Sequence, residues 1–190
     1  NKIAAIIVEP LQGQDINLPD ENYLSQICKI SNKNNILTIF DEVKCGLGRT
    51  GNVFEFLNHD CIPDIVTTSK ALGGGKNAIS AMISSKKIFL KAYGPIKKSA
   101  LHTTTFFGLG EGCATAIETL NIITDKKFID KININSKFFI SELKKIQTKY
   151  PKQIKRIKGK GLFLGIEFNF DNIVLDQFIN FNIPIVSDFR

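Results

Sequence analysis

The sequence has few of the residues that build metal sites and disulfide frameworks. It contains two histidines, and its four cysteines, which form no C-x-x-C pair, are Cys28, Cys45, Cys61 and Cys113. A zinc site needs several such ligands at close spacing, and a disulfide scaffold needs many cysteines in a short chain. We therefore expect no metal centre, and we expect the thiols to be reduced and mostly buried.

Long apolar runs are also missing. No run approaches the roughly 18 residues that a membrane-spanning helix needs, and the sequence shows no basic segment followed by an apolar one of the kind that directs secretion. We therefore expect a cytoplasmic protein with no membrane partner. The sequence begins at Asn1 and ends in an apolar stretch that no closing element follows, so we also expect a piece of a longer protein.

The alternation of aromatic and basic residues that single-stranded nucleic acid binders use is absent as well. The formal net charge of +7 suggests an acidic partner. The lysines, however, cluster mainly between positions 126 and 160 at helix-like spacing, with Ile, Phe and Asn between them. This pattern is more typical of a solvated helix face, so we expect no nucleic-acid partner.

Short runs that are apolar on both faces alternate with helical patterns or loops. The runs are IAAIIVEP (3–10), ILTIFDEV (36–43), PDIVTTSK (63–70) and AISAMISS (78–85), and a helical pattern covers 19–34. This order predicts an α/β fold with a mainly parallel sheet and helices on both faces. Ligands bind at the carboxyl ends of such strands, where the sequence has Glu9, Asp41 and Lys70. We interpret Glu9 as a structural carboxylate.

Asp41 and Lys70 suit pyridoxal phosphate (PLP). A carboxylate can pair with the pyridine nitrogen and keep it protonated, and a lysine on the adjacent strand can form the Schiff base. Such a lysine has to be desolvated or close to positive charge, so that its free amine is accessible near neutral pH. Three consecutive glycines, 73–75, follow Lys70 in a predicted loop and would let the backbone approach a ligand closely.

The second half of the sequence predicts two helices, over 108–124 and 128–150. The segment 154–170 alternates apolar and polar residues and contains three glycines, which predicts a strand pair or one bent strand in a smaller α+β unit. We place a domain boundary in this region. The predicted large, cofactor-binding domain covers 1–126, and the start of a C-terminal small domain covers 127–190.

Five motifs in order resemble the class III (ω-amino acid type) aminotransferases, which belong to the fold-type I family of PLP enzymes. The motifs are IIVEPLQGQ, FDEVKCGLGRTG, PDIVTTSKALGGG, LHTTTFFGLGEGCATAIETL and IKGKGLFLGIEF, and the likeness covers about residues 3 to 168. The resemblance implies a PLP-dependent transaminase that moves an amino group between an amine or amino acid and an oxo acid or aldehyde. It also implies a homodimer whose site is shared across the interface.

The resemblance implies roles for individual residues. Lys70 is the catalytic residue that forms the Schiff base, Asp41 binds the pyridine nitrogen, and Val43 packs on one face of the ring. Thr105, with Thr104 beside it, reaches the phosphate of the cofactor in the partner subunit. From the residues alone, an ordinary turn and helix N-cap is the simpler interpretation of these threonines.

The sequence departs from the family pattern at three places. Lys44 replaces a glutamine that hydrogen-bonds the phenolic oxygen of the cofactor, and a lysine there either serves that oxygen as a charged donor or turns to solvent. Gln14 replaces an acidic residue, and Phe-Gly-Leu-Gly at 107–110 replaces Gly-Gly-Asn-Pro. The sequence therefore does not identify the amino donor or the acceptor. Two alternatives to a transaminase also remain: an aminomutase, epimerase or decarboxylase of the same fold, and a non-catalytic protein.

Overall fold

The computed structural model describes residues 2–98 and 100–169. Its strands and longer helices, in chain order, are β1 (Ala5–Val8), α1 (Tyr23–Asn34), β2 (Leu37–Asp41), β3 (Ile65–Thr68), β4 (Ala81–Ser84), α2 (Lys86–Tyr93), α3 (Gly110–Thr124), α4 (Lys126–Lys149), β5 (Ile154–Lys160) and β6 (Phe163–Phe168). Short 3₁₀ helices cover Glu55–Asn58, Lys70–Gly73 and Ile96–Lys98. The part of the predicted small domain beyond Asn169 lies outside the described residues.

Strands β1 to β4 form one sheet in that order. β1, β2 and β3 run parallel, and Phe40 of β2 pairs with Val8 on one side and Val66 on the other. β4 runs antiparallel to β3, with Thr67 opposite Met82. The predicted mainly parallel sheet is confirmed, with an antiparallel edge. β4 returns antiparallel because the segment before it contains only a short 3₁₀ helix and a glycine turn, whereas a parallel return needs a longer crossover.

Helix α1 covers one face of this sheet. Leu24 and Cys28 of α1 are buried against Phe40, whose side chain is fully buried. The helix ends because Asn35 adopts a left-handed backbone with φ of 54°, which asparagine tolerates better than most residues. On the opposite face, Ile7 of β1 is 63% exposed, so the described residues cover that face only in part.

A second core lies between α3 and the loops that follow β2 and β3. Its buried residues are Leu47, Leu72, Ala116 and Ile123. Both helices predicted in the second half of the sequence are confirmed. Helix α4 begins at Lys126, earlier than predicted, because the Asp125 carboxylate accepts the N–H of Lys127 at 2.9 Å and caps the helix.

β5 and β6 form an antiparallel hairpin, which confirms the strand-pair alternative for 154–170 within the described residues. The hairpin turn packs on other elements: the Ser136 hydroxyl of α4 donates to Gly161 O at 2.6 Å, and Leu162 N–H donates to Arg49 O at 2.9 Å. These contacts join the hairpin to α4 and to the loop after β2. The division at residue 126 stays a prediction.

Across residues 2–98 and 100–169, no helix combines the length and apolar character needed to cross a membrane. The same part of the chain contains no group of three or more His, Cys, Asp or Glu side chains placed to hold a metal ion. The four cysteines are free thiols; Cys28 and Cys45 are buried, and Cys61 and Cys113 are half-buried.

Candidate functional site

The sheet brings the ends of β2 and β3 side by side. Asp41 is the last residue of β2 and pairs with Thr67, and Lys70 follows the end of β3 after Ser69. Because the two strands are parallel, the chain leaves both of them at the same edge of the sheet. The structure therefore places Asp41 and Lys70 at one edge, where α/β proteins bind ligands.

Lys70 begins the 3₁₀ helix with a left-handed backbone, at φ of 50°. For a residue other than glycine this conformation costs about 1–3 kcal/mol, and it persists only where the surroundings fix it. Ser69 helps to fix it, since its hydroxyl donates to Ile79 O at 2.9 Å and its carbonyl accepts Leu72 N–H at 3.1 Å. Strained backbones of this kind cluster at ligand and active sites.

The surroundings of this segment bear on two expectations from the sequence. The Lys70 side chain is exposed, so the described residues do not desolvate it, and nearby positive charge is the alternative that remains. The glycines that follow belong partly to a 3₁₀ helix rather than to a plain loop. A Cβ at Gly74, which has φ of 58°, would lie 2.8 Å from the Thr119 hydroxyl of α3. Gly74 therefore permits the close approach of α3, whereas Gly75 faces open space, and both glycines line the pocket that contains Lys70.

Asp41 is half-buried, and one of its two carboxylate oxygens is fixed. Oδ1 accepts the N–H of Val43 at 3.0 Å, which closes a local turn directly after β2. Within residues 2–98 and 100–169 no partner is found for Oδ2. Val43 itself is half-buried in this turn.

Lys44 lies against the loop that follows β1. Any side chain at Gly13 would overlap the methylene groups of Lys44, so the lysine stem runs directly over this glycine. The loop is held by Glu9, whose Oε2 accepts Gly13 N–H at 2.8 Å, in agreement with a structural role for that carboxylate. Lys44 is half-buried, and its amine has no hydrogen bond or ion pair with the described residues.

Thr104 and Thr105 lie in an exposed turn before α3. Phe107 N–H donates to Thr104 O at 3.1 Å, and α3 begins after Leu109, which makes no side-chain cap. The threonines are therefore in a turn, but the N-cap interpretation is wrong. In the part of the chain that the structure describes, no hydrogen bond joins either hydroxyl to Asp41 or Lys70.

Glu42 is a further candidate, to which the sequence motifs assign no role. Its side chain is fully buried, Oε2 accepts Glu55 N–H at 2.9 Å, and Oε1 accepts Phe56 N–H at 2.9 Å. Burial raises the pKa of this carboxyl group, although the two backbone hydrogen bonds oppose the shift. Alternation along β2 was the available signal, because Glu42 continues the face of buried Phe40 while Asp41 lies on the other face.

Glu55 is a second fully buried carboxylate, next to Glu42. Its Oε1 accepts Lys160 Nζ at 2.8 Å and lies 3.1 Å from His59 Nε2, and its Oε2 accepts Asn58 Nδ2 at 2.8 Å. A buried charge of this kind requires a counter-charge and hydrogen bonds. No local sequence pattern indicates the contact between Glu55 and Lys160, since Lys160 lies in β5, 105 positions further along the chain.

An open pocket of about 650 Å³ lies between the loop after β2, the 3₁₀ helix at Lys70 and helix α4. Apolar side chains form most of its wall: Leu47, Ile123, Phe128, Ile132 and Leu162. Arg49 and Lys70 are its polar members. The pocket thus joins Lys70 to Arg49, and it does not include Asp41, Val43, Lys44 or the threonines.

Comparison with known proteins identifies the class. The family model "Aminotransferase class-III" matches residues 1–181. The acetylornithine aminotransferase of Methanocaldococcus jannaschii is 37% identical over 172 residues, which are 90% of this chain and 42% of that protein. The putrescine aminotransferase of Pectobacterium atrosepticum is 36% identical over 172 residues, which are 90% of this chain and 36% of that protein.

A solved structure of the ornithine aminotransferase from Toxoplasma gondii superposes with a TM-score of 0.75 at 30% identity. The superposition covers 87% of the present chain and 38% of the Toxoplasma gondii chain. PLP partly occupies the active site of the Toxoplasma gondii enzyme. The sheet and helices described above are thus part of a fold-type I aminotransferase fold. The chain belongs to the class III aminotransferase family, and it spans about two fifths of the length of these relatives.

Proposed function

We propose that the full-length protein is a PLP-dependent aminotransferase and that this chain supplies the lysine that holds the cofactor. The position of Asp41 and Lys70 after neighbouring parallel strands carries the proposal, because it puts a carboxylate and an amine at the ligand-binding edge of the sheet. Membership of the class III family supports it. PLP at the active site of the Toxoplasma gondii relative supports the choice of cofactor.

The residues at this edge have the chemistry that PLP requires. Lys70 is exposed, so its amine is accessible to the aldehyde that PLP presents. Val43 N–H holds Oδ1 of Asp41, which leaves Oδ2 available to a cationic ring nitrogen. The residues present therefore fit the cofactor.

When bound, PLP withdraws electrons from the substrate carbon that carries the amino group. The negative charge of Asp41 would keep a proton on the pyridine nitrogen, and Val43 would pack against one face of the ring. Lys70 would hold the cofactor between turnovers. Once the amino donor has displaced it, its Nζ would move a proton at the substrate carbon as a general base and acid.

Lys44 is proposed to donate from Nζ to the phenolic oxygen of PLP, in place of the glutamine of the family. Its half-buried stem over Gly13 supports this role, because a lysine directed wholly into solvent would not be held against a loop. If Nζ points to solvent instead, Lys44→Met will leave the affinity for PLP unchanged.

A homodimer is proposed, in which Thr105 and Thr104 reach the phosphate of the cofactor bound by the partner subunit. The loop around them supports a covering partner, because Leu101, Phe106 and Phe107 are 70%, 78% and 74% exposed. Light scattering on the full-length protein measures the assembly directly. A monomer that keeps full cofactor affinity would contradict this proposal.

The amino donor is proposed to be a compound with a primary amine at the end of a short aliphatic chain. The relatives named for acetylornithine, putrescine and ornithine support this class of donor. The acceptor is proposed to be an oxo acid. A cytoplasmic location is also proposed, and the four free thiols support a reducing compartment.

The test uses the full-length protein with added PLP and with ornithine, acetylornithine or putrescine, with and without 2-oxoglutarate. We expect a new carbonyl product together with glutamate, and only when the acceptor is present. Lys70→Ala should abolish the reaction, whereas Lys76→Ala, an exposed lysine in the same glycine-rich segment, should retain it. Release of carbon dioxide, a rearranged amine or cofactor binding without turnover would contradict the transaminase.

A further inference from the structure

We propose that Glu42, Glu55 and Lys160 form a positioning network that sets the orientation of Asp41, and that Lys160 thereby controls how tightly the site holds PLP. This inference rests on the proposed function, because PLP binding is its readout. Glu42, Glu55 and Lys160 are positioning residues, since none of them is proposed to touch the cofactor.

The first step leads from Asp41 to Glu42. Glu42 N–H donates to Thr67 O at 2.9 Å, so the pairing of β2 with β3 continues through this residue. Neighbouring side chains on an extended backbone point to opposite faces, and Glu42 therefore anchors the face opposite to Asp41. Its buried carboxylate accepts two backbone N–H groups, from Glu55 and Phe56. The backbone next to Asp41 is therefore held by the pairing with β3 and by the buried Glu42 side chain. These contacts leave Asp41 little freedom to change its orientation.

The second step leads from Glu42 to Glu55. The two N–H groups that Glu42 accepts come from the first two residues of the 3₁₀ helix Glu55–Asn58. The position of that helix depends on where the Glu55 side chain is held, because Glu55 is itself fully buried. Cys45 Sγ, 3.4 Å from Glu42 Oε2, is the other polar group at the Glu42 carboxylate among the described residues.

The third step leads from Glu55 to Lys160. Glu55 Oε1 accepts Lys160 Nζ at 2.8 Å, and His59 Nε2 lies 3.1 Å from the same oxygen. His59 carries a positive charge only when it is protonated, so Lys160 is the permanent cation at this carboxylate. The Lys160 side chain is 35% exposed, but its removal would leave the fully buried Glu55 carboxylate without its counter-charge, which the surrounding structure would relieve by moving.

Removal of Lys160 would disturb the contacts that run from Glu55 through Glu42 to Asp41. The Glu55 carboxylate would lose its cation while it stays buried beside the Glu42 carboxyl group, and the Glu55 side chain would move away from that group. The 3₁₀ helix would then shift and withdraw its N–H groups from Glu42. The backbone at Asp41 would then lose the support of the Glu42 side chain on the other face of the strand. None of the residues proposed to contact the cofactor would have been changed.

The experiment measures the dissociation constant of PLP and the pH dependence of bound-cofactor absorbance in the full-length protein. The variants are Lys160→Met, Lys160→Arg, Glu55→Gln and the double variant Glu55→Gln/Lys160→Met. Lys155→Met is the matched control, since Lys155 lies on the same strand but pairs with Glu167, which is half-buried, and not with a fully buried carboxylate. Thermal unfolding of each apo-protein reports stability separately.

We expect Lys160→Met to weaken PLP binding about tenfold, as for the loss of a hydrogen bond to a charged group. The pH at which the absorbance of the bound cofactor changes should also differ from that of the wild type, because a displaced Asp41 holds the proton on the pyridine nitrogen less firmly. Lys160→Arg, the control and the double variant should stay within about 1.5-fold of the wild type, since none of them leaves a buried charge unpaired. If Lys160→Met does not fold, Glu55→Gln should show a smaller loss in the same direction, of about threefold.

Several results would overturn the inference. If Lys160→Met or Glu55→Gln unfolds at lower temperature but binds PLP with wild-type affinity and pH profile, the network is only structural. If Lys155→Met weakens PLP binding as much as Lys160→Met, the effect comes from the loss of one positive charge and not from the contact between Lys160 and Glu55. If the wild type binds no PLP, the proposed function itself fails and this inference fails with it, so the two failures are distinguishable.

Discussion

Lys160 Nζ lies 2.8 Å from Glu55 Oε1, across 105 positions of the sequence. This ion pair joins the β5–β6 hairpin to the segment that follows β2. The turn of the same hairpin contacts the loop at Arg49, where Leu162 N–H donates to the carbonyl oxygen at 2.9 Å. The predicted small domain is thus tied to the edge of the sheet at which Asp41 and Lys70 lie.

Gly161 makes this contact possible, and its replacement should weaken it. The glycine has φ of 63°, and a Cβ there would lie 2.6 Å from Thr50 Cα. We expect Gly161→Ala to lower the free energy of unfolding by at least about 1 kcal/mol, measured by urea denaturation of the full-length protein. Gly110→Ala is the control, since nothing lies near its Cβ position, and it should not destabilise. Equal losses in both variants would contradict the contact.

Phe40 is the largest fully buried side chain of the first core. It packs with Leu24 and Cys28 of α1, and its ring centroid lies 6.4 Å from that of Phe56. Phe40→Ala should cost about 3–5 kcal/mol, because a cavity would remain where the ring was. Lys29→Ala, on the exposed side of α1, should change the free energy of unfolding by no more than about 0.5 kcal/mol. A small loss at Phe40 would show that the core is not packed as described.

Glu167 should make stability depend on pH at acidic values. Hydrogen bonds from Lys155 and Arg156, at 2.6 and 2.5 Å, lower the pKa of this carboxyl group to about 2. A glutamate in an unfolded chain titrates near 4.5. The ionised group therefore contributes its full stability above pH 4.5, and the contribution is lost as the pH falls towards 2.

We expect the melting temperature of the wild type to fall more steeply over this acidic range than that of Glu167→Gln. The difference should be small and should shrink in high salt, because these side chains are in contact with solvent. Parallel pH curves at low salt for the two proteins would contradict the assignment.

Two thiols should react slowly in the native protein. Burial raises the pKa of Cys45, and burial together with a contact to Cys28 raises the pKa of Cys61 to about 12. Because the thiolate is the reactive form, alkylation near neutral pH should label Cys45 and Cys61 only after denaturant is added. Peptide mapping by mass spectrometry gives the rate at each site. Rapid native labelling of Cys45 would contradict its burial.

The sheet and the two long helices could be predicted from the sequence because their signals are local. The apolar runs that became β2 and β3 are continuous, and α4 keeps a helical period over its whole length. Helix α2 was not predicted because its 8 residues are too few for its apolar side chains to show a clear helical period. Its cap was visible in principle, because Ser85 accepts the N–H of Ile88.

In the candidate site, only the residues at the ends of strands could be predicted from the sequence. Asp41 and Lys70 were found in that way, and the structure adds the strained backbone of Lys70, for which the sequence has no signal. The role of Gly74 could not be predicted, since it depends on how closely α3 approaches. The same holds for Glu55 and Lys160, which only the tertiary fold brings together.

Covalent trapping tests directly whether Lys70 holds PLP. The full-length protein is incubated with PLP, reduced with borohydride, digested and mapped by tandem mass spectrometry. We expect the phosphopyridoxyl group to be attached to Lys70, and we expect no label in Lys70→Ala. Labelling of Lys44 or Lys76 in place of Lys70, or an unchanged label in Lys70→Ala, would contradict this expectation.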